Sequence, residues 1–215
     1  MKHARQRKAL NDNIGTHDMH LAKEFFTALK KGTPVKIPQY DKSAHSGQGD
    51  RVPSSQWEEV NQPGQPKVQV IIFEGWSVGF RALASEEVKR KQAASRAQAS
   101  ATLWKHRLED LLFVNEKLRE YDVMTDMFDA FIHIDALETV YVYDWRLEQE
   151  ASLRREKGAG MTDEQVIKFV DGYYPAYELF TDALRTGVFK GTDSNGKQLR
   201  LIVGRDRKVK EAILI

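Results

Sequence analysis

A glutamate directly after a short apolar run is the first residue whose position suggests chemistry. Residues 70–73 are Val, Ile, Ile and Phe, and Glu74 and Gly75 follow them. Such a run is typical of a strand buried on both faces of a parallel sheet, and ligands bind beyond the carboxyl ends of such strands. A carboxylate placed there can hold Mg²⁺ or its waters. A capped or ion-paired structural carboxylate fits the same pattern about equally well when the glutamate is considered alone.

A polar segment from Pro38 to Arg51 is the second candidate site, and it belongs to a long loop predicted over residues 36–66. The segment combines Lys42, Asp50 and Arg51 with two glycines. This composition suits an anionic substrate that bears hydroxyl groups, because lysine and arginine bind the oxygens of carboxylates and phosphates. A solvated surface loop has the same composition, so that alternative stays open.

Gly191, Gly196 and Lys197 have the spacing of the phosphate-binding motif Gly-x-x-x-x-Gly-Lys-Ser/Thr. In that motif the final hydroxyl binds magnesium and a helix follows. Here Gln198 replaces the hydroxyl residue, a strand is predicted after it, and the pair Asn195-Gly196 is typical of a tight hairpin turn. We therefore reject a phosphate-binding loop at this position.

The histidines are not expected to form a metal site. His17 and His20 are three residues apart and can share a helical face, but no further ligands accompany them or His45. Polar surface histidines are the expected outcome.

Helices and strands alternate along the chain and must position these residues. We predict a helix capped by Thr16 that stops at Gly32, and further helices over 85–121, 137–157 and 162–185. The helix over 137–157 overlaps a stretch with strand propensity. The helix over 162–185 opens with a Thr-Asp-Glu-Gln capping box and breaks before Pro175. Strands are predicted over 68–73, 131–134 and 199–203, with a turn near Asp206 and a short return. This order predicts an α/β domain with a mainly parallel sheet.

Composition excludes several classes of function. The 215 residues are 41% hydrophobic, which is enough for a core, and 30% charged with a net charge of +2, so no overall field attracts nucleic acid or an anionic membrane. No apolar stretch approaches the length of a transmembrane helix. The absence of cysteine excludes disulfides and thiolate chemistry. Residues 1–14 form a basic tail without an apolar core, so we expect no secretory signal and a cytoplasmic location.

Several segments together resemble the D-glycerate 3-kinase group, with its fungal relatives, in the uridine kinase and phosphoribulokinase branch of P-loop kinases. The resemblance covers nearly everything after Gly15. It rests on the segments GTHD (15–18), YDKS and GDR (40–51), FEGWSVGF (73–80), VNEKLREYD (114–122), FIHIDA (131–136), WRLEQE (145–150) and GMTDEQVIKFVDGYYPAYELF (160–180).

The resemblance implies a three-layer α/β domain over residues 15–215 that uses ATP and Mg²⁺ to phosphorylate a hydroxyl of a small acid such as D-glycerate. It implies that Glu74 is the strand-end acid near magnesium. It implies that Arg146 and Arg154 or Arg155, in a lid-like region over 145–185, stabilise the transferred phosphoryl group and contact the nucleotide. The residues implied for the substrate side are Thr16, His17, Asp18, Lys42, Asp50 and Arg51.

The sequence departs from this group in one respect. The group has its first strand, its phosphate loop and an acidic strand-end motif before the GTHD segment, and here only residues 1–14 precede that segment. We therefore expect a kinase domain that is inactive as the 215-residue chain and active in a longer form. The alternative is a non-catalytic binding or regulatory protein that kept the substrate loop and the lid. A third hypothesis, that the basic start binds nucleic acid, is opposed by the near-neutral remainder.

Overall fold

The computed structural model describes residues 14–41, 44–47, 49–98, 101–158, 160–191 and 195–215. The predicted basic tail therefore lies outside the described residues, apart from Ile14. The chain divides into two compact units. The first comprises the residues up to Val78 together with Glu120–Met124, and the second comprises Gly79–Arg119 and Thr125–Ile215.

Eight α-helices occur in the described residues: α1 Met19–Lys30, α2 Ala44–Gly47, α3 Ser85–Ser95, α4 Leu108–Arg119, α5 Asp122–Thr125, α6 Tyr141–Lys157, α7 Asp163–Asp171 and α8 Tyr174–Thr186. Single 3₁₀ turns lie at Ser54–Gln56 and Leu103–Lys105. The strands are β1 Val35–Lys36, β2 Tyr40–Asp41, β3 Asp50–Arg51, β4 Glu59–Val60, β5 Phe131–Ala136, β6 Gln198–Val203 and β7 Val209–Leu214. Among the described helices, none combines the length and the apolar composition needed to span a membrane.

Helix α1 opens the first unit, and its cap differs from the prediction. The side chain of Asp18 accepts a hydrogen bond from the backbone N–H of Leu21, so Asp18 is the N-cap and the predicted cap Thr16 is wrong. A carboxylate accepts hydrogen bonds from the free amides at a helix start, and its negative charge is attracted to the positive end of the helix dipole. The helix ends at Lys30 and the chain turns at Gly32, whose φ of 63° is in the left-handed region that glycine tolerates.

The segment predicted as a long loop, residues 36–66, contains two small antiparallel ladders. Strand β1 pairs with β4, and β2 pairs with β3. The second ladder places Tyr40 opposite Arg51 and Asp41 opposite Asp50. Each ladder has only two residues per strand, which is why hydrophobic alternation could not reveal it.

The predicted strand over residues 68–73 is wrong. Residues 66–75 have no regular secondary structure, and the Ile72 side chain is 89% exposed. A strand needs a neighbour that accepts and donates its backbone hydrogen bonds, and in the part of the chain that the structure describes no strand pairs with this run. Local contacts hold it instead: Phe73 packs edge-to-face on Phe26 with ring centroids 5.0 Å apart, and the Val68 N–H donates to the buried Asn61 side chain.

The second unit contains a three-stranded sheet of order β5-β6-β7, in which β5 and β6 are parallel and β6 and β7 are antiparallel. The predicted strands 131–134 and 199–203 and the return after Asp206 are confirmed. Strand β5 is buried on one face only: His133 and Asp135 on that face are buried, whereas Ile132 and Ile134 on the other face are exposed. The described sheet is therefore mixed, with β5 at its edge.

Helices fill the core of the second unit. The predicted helix over 85–121 is two helices, α3 and α4, with the 3₁₀ turn Leu103–Lys105 between them, while α6 confirms the helix predicted over 137–157. The capping box is also confirmed, because Thr162 and Gln165 exchange side-chain and backbone hydrogen bonds at the start of α7. The helix predicted over 162–185 breaks before Pro175, which lies in the first turn of α8.

Buried residues from several of these elements form the core, namely Phe80, Val88, Leu103, Leu111, Leu118, Val166, Val170, Leu179, Phe180, Leu184 and Val188.

Candidate functional site

The segments GTHD and GDR meet in the first unit. A guanidinium nitrogen of Arg51 lies 3.2 Å from a carboxylate oxygen of Asp18, although 33 residues separate them. The backbone N–H of Leu21, and secondly Arg51, lower the pKa of Asp18. Both partners are substantially exposed, so the pair contributes little to stability and a competing anion can reach the guanidinium.

A cavity of about 500 Å³ opens beside this pair. Its walls come from α1 and from the chain that follows β3, and they are formed by Asp18, His20, Leu21, Glu24, Arg51, Val52, Pro53, Ser54 and Trp57. The cavity lies wholly within the first unit. It brings a guanidinium, carboxylates and a hydroxyl together, which are the groups that recognise a compound carrying both an acid and hydroxyls.

A tyrosine from far along the chain holds the GTHD turn. The hydroxyl of Tyr121 accepts the backbone N–H of Gly15 at 2.9 Å and is hydrogen-bonded to Nδ1 of His17 at 2.6 Å. The rings of His17 and Tyr121 meet edge-to-face. Burial raises the pKa of the Tyr121 phenol. Sequence reasoning missed this residue, because Tyr121 follows a helix as an ordinary core aromatic would.

Asp50 is hydrogen-bonded within its own loop. His45 Nε2 lies 3.1 Å from its carboxylate, and that hydrogen bond, followed by the one from the Arg51 backbone N–H, lowers the pKa of Asp50. Asp50 is not among the residues that line the cavity, and neither Thr16 nor His17 lines it. Lys42 lies outside the described residues.

Glu74 is exposed and lies in irregular chain rather than at a strand end. Within the described ranges, no three histidine, aspartate or glutamate side chains converge as a metal site would require. A lone carboxylate does not provide a magnesium site by its own geometry. The assignment of Glu74 to magnesium stays a prediction.

The three arginines predicted for the lid all lie on α6, and each of them contacts nearby side chains. Arg146 contacts the buried Glu150 at 2.6 Å, and its guanidinium lies over the ring of Phe169 at 5.1 Å. Arg154 binds Asp163 at 2.8 Å, and Arg155 donates to Ser152. Of these contacts, Arg146 with Phe169 and Arg154 with Asp163 join α6 to α7, and the other two lie within α6. Arg154 also donates to the Met161 carbonyl, and the Arg146 Nε atom is buried without a partner among the described residues.

A buried ionic cluster that no sequence pattern predicted lies where β5 ends. The Asp135 side chain is 3% exposed, and both of its oxygens accept hydrogen bonds from Arg185 at 2.8 and 3.0 Å. Arg200 on β6 adds bonds of 2.6 and 2.9 Å. Burial alone would raise the pKa of Asp135, and the two guanidiniums hold it below its ordinary value. Burial lowers the pKa of the neighbouring His133.

Several known proteins are similar to this chain in sequence or in structure. No protein-family model matches the chain. The chain is 38% identical over 186 residues to a chloroplastic D-glycerate 3-kinase of Arabidopsis thaliana, covering 84% of this chain and 36% of that one. It is 33% identical over 201 residues to the probable ATP-dependent kinase TDA10 of Saccharomyces cerevisiae, covering 89% and 61% respectively. The solved D-glycerate 3-kinase of Cryptococcus neoformans superimposes with a TM-score of 0.82 at 34% identity over 100% of this chain and 73% of its own.

The chain belongs to the D-glycerate 3-kinase family. The similarity to the Cryptococcus structure covers every region described above, so the α/β character of the family is shared here. Relative to the curated family members from Arabidopsis and Saccharomyces, the chain spans between 36% and 61% of their length.

Proposed function

We propose that the protein serves an ATP-dependent kinase reaction in which a hydroxyl of a small hydroxy acid such as D-glycerate accepts the γ-phosphoryl group. The observation that carries the proposal is the pairing of Asp18 with Arg51 at the wall of the 500 Å³ cavity. Family membership supplies the reaction class. The pair supplies a place for the acceptor.

The roles of the pair follow from its chemistry. The guanidinium of Arg51 binds the carboxylate of the acceptor, because its planar donors match carboxylate oxygens. The pKa of Asp18 is lowered, so this side chain is ionised at neutral pH and accepts a hydrogen bond from an acceptor hydroxyl. That bond orients the hydroxyl oxygen for attack on phosphorus, and orientation contributes much of the acceleration in phosphoryl transfer. Binding exchanges the Asp18–Arg51 contact for contacts to the ligand.

The nucleotide side of the reaction needs a Gly-x-x-x-x-Gly-Lys-Ser/Thr segment, and no such segment occurs within the 215 residues. We propose that this chain alone neither hydrolyses ATP nor transfers its phosphate. Turnover above that of a Glu74→Ala variant would contradict this part of the proposal.

A second candidate function is binding without catalysis. The same missing motif favours it, because the acceptor cavity is formed within the described residues while the motif is not. Retention of D-glycerate without ATP turnover in every longer form of the protein would select this candidate. Phosphorylation of D-glycerate by a longer form would select the kinase.

Binding of D-glycerate to the 215-residue chain tests the acceptor site directly. Isothermal titration calorimetry should detect an Arg51-dependent complex, and Arg51→Ala should weaken it by about tenfold or more, as expected when a charge-assisted hydrogen bond is lost. The matched control is Arg90→Ala, which removes an exposed arginine that is ion-paired to Glu87 on α3. Equal binding by both variants would remove the cavity from the proposal.

A further inference from the structure

The cavity beside Asp18 and Arg51 has an aromatic wall that binding of a small charged acid does not require. The indole N–H of Trp57 donates to the Val52 carbonyl at 2.7 Å, so the orientation of this half-buried ring is fixed. Pro53 and Leu21 add apolar surface nearby. An indole offers a large rigid face at a small entropic cost when a ligand packs on it.

The volume of the cavity is also larger than a three-carbon acid needs. A cavity of about 500 Å³ falls within the range of roughly 300–1,000 Å³ that encloses drug-sized ligands. Glycerate held by Arg51 would fill only a small part of it.

The polar groups of the cavity are spread along its walls. The carboxylate of Glu24 and the hydroxyl of Ser54 line it in addition to Asp18 and Arg51. Glu24 lies 3.5 Å from His20 in an exposed contact that leaves its carboxylate accessible to a ligand. One cation and several hydroxyl-binding groups beside an apolar ring suit a chain that carries one acid, several hydroxyls and a carbon backbone.

Building on the proposed function, we infer that this acceptor site takes polyhydroxy acids longer than glycerate, aldonic acids such as erythronate and gluconate, and that Trp57 determines the preferred chain length. The carboxylate lies on Arg51 and the hydroxyls on Asp18, Glu24 and Ser54. The C–H groups of the additional carbons pack on the indole. Glycerate reaches only Arg51 and Asp18, and it gains nothing from the indole.

Calorimetric titration of the 215-residue chain with D-glycerate, D-erythronate and D-gluconate tests this inference. Gluconate should bind about fivefold or more tightly than glycerate, because its additional hydroxyls reach Glu24 and Ser54 while its C–H groups cover the indole. Trp57→Phe should reduce that ratio to below about twofold while changing glycerate affinity little, since the smaller ring offers less area. The control is Trp104→Phe, in which an exposed indole with a similar bond to a backbone carbonyl is replaced in the second unit.

The outcomes separate the two proposals. Arg51-dependent binding of glycerate with an equal or lower affinity for gluconate would overturn the inference and leave the acceptor site standing. A chain-length preference that is unchanged in Trp57→Phe would also overturn it. Binding of none of the acids would overturn both proposals. Thermal unfolding of each variant verifies that the substituted chains are folded, and Trp57→Tyr replaces Trp57→Phe if the latter is not.

Discussion

An ionic pair in the first unit and an ionic cluster in the second unit, each formed by residues far apart in the sequence, differ in their surroundings. Asp18 and Arg51 in the first unit are exposed, lie on two-residue strands and a helix cap, and border a cavity. Asp135, Arg185 and Arg200 in the second unit are held on β5, β6 and α8, with the carboxylate buried. The exposed pair can exchange partners with a ligand, whereas the buried cluster cannot without a large energetic cost. This difference separates residues suited to binding from residues that stabilise the fold.

Removal of the buried carboxylate should have the largest effect on stability. Asp135→Ala removes the buried carboxylate that two guanidiniums share, and we expect it to lower the free energy of unfolding by about 3–5 kcal/mol. Urea denaturation followed by circular dichroism measures this loss. The control is Asp182→Ala, which removes an exposed partner of Arg185. A loss below about 1 kcal/mol for Asp135→Ala would remove the distinction between the two ionic sites.

A neutral buried residue should come next. Asn115 is 1% exposed, and its amide both donates to the Leu83 carbonyl and accepts from the Leu83 N–H. Asn115→Ala leaves both backbone groups without these partners, so we expect a loss of about 2 kcal/mol. The same denaturation experiment measures it. If Asn115→Ala were more destabilising than Asp135→Ala, the buried ionic cluster would not be the larger contribution to the stability of the second unit.

Substitution of Asp18 in the exposed pair should affect ligand binding more than it affects stability. Asp18→Ala removes the N-cap of α1, which costs about 1 kcal/mol of stability. The same change should abolish calorimetric binding of D-glycerate, because the hydroxyl acceptor is lost. Asp18→Asn, which retains a capping group, should recover the stability but not the binding. Recovery of both would mean that Asp18 acts only as a cap.

The smallest effect should appear as a dependence on pH. Burial lowers the pKa of His133 in the folded state, so the unfolded chain binds a proton at this position more readily. Stability should therefore decrease as the pH falls from about 6.5 and stop decreasing below the folded pKa. Asp135, Arg200 and Arg185 surround the ring and act on the same equilibrium. Denaturation of His133→Gln between pH 7.5 and about 5 should lack this contribution, and a profile identical to that of the unchanged chain would contradict the assignment.

The sequence predicted those elements whose signals are local. The capping box at Thr162 and the break before Pro175 were confirmed because each depends on neighbouring residues alone. The strand at residues 68–73 was wrong because strand formation depends on a neighbour that local composition does not reveal. The N-cap was placed on Thr16 instead of Asp18, because both residue types cap helices and the two positions are only two residues apart.

The same contrast between local signals and long-range contacts applies to the site residues. Arg51 was selected from the composition of its loop and Asp18 from family resemblance, yet the contact between them depends on the β2–β3 ladder, which has no periodic signal. Glu24 and Trp57 line the same cavity and were missed, since each looks like an ordinary residue of a helix or a loop. The Asp135 cluster was missed because its two arginines come 50 and 65 residues later in the chain.

The bond between Tyr121 and Gly15 has a consequence for biosynthesis. A ribosome adds roughly 5–20 residues per second, so several seconds separate the emergence of the GTHD turn from that of the tyrosine which holds it. Within that interval α1 and the β2–β3 ladder can form, because all of their residues emerge before Tyr121, whereas the turn that precedes them lacks its hydrogen bond to Tyr121. A nascent chain should therefore become able to retain its ligand only after Tyr121 has left the exit tunnel.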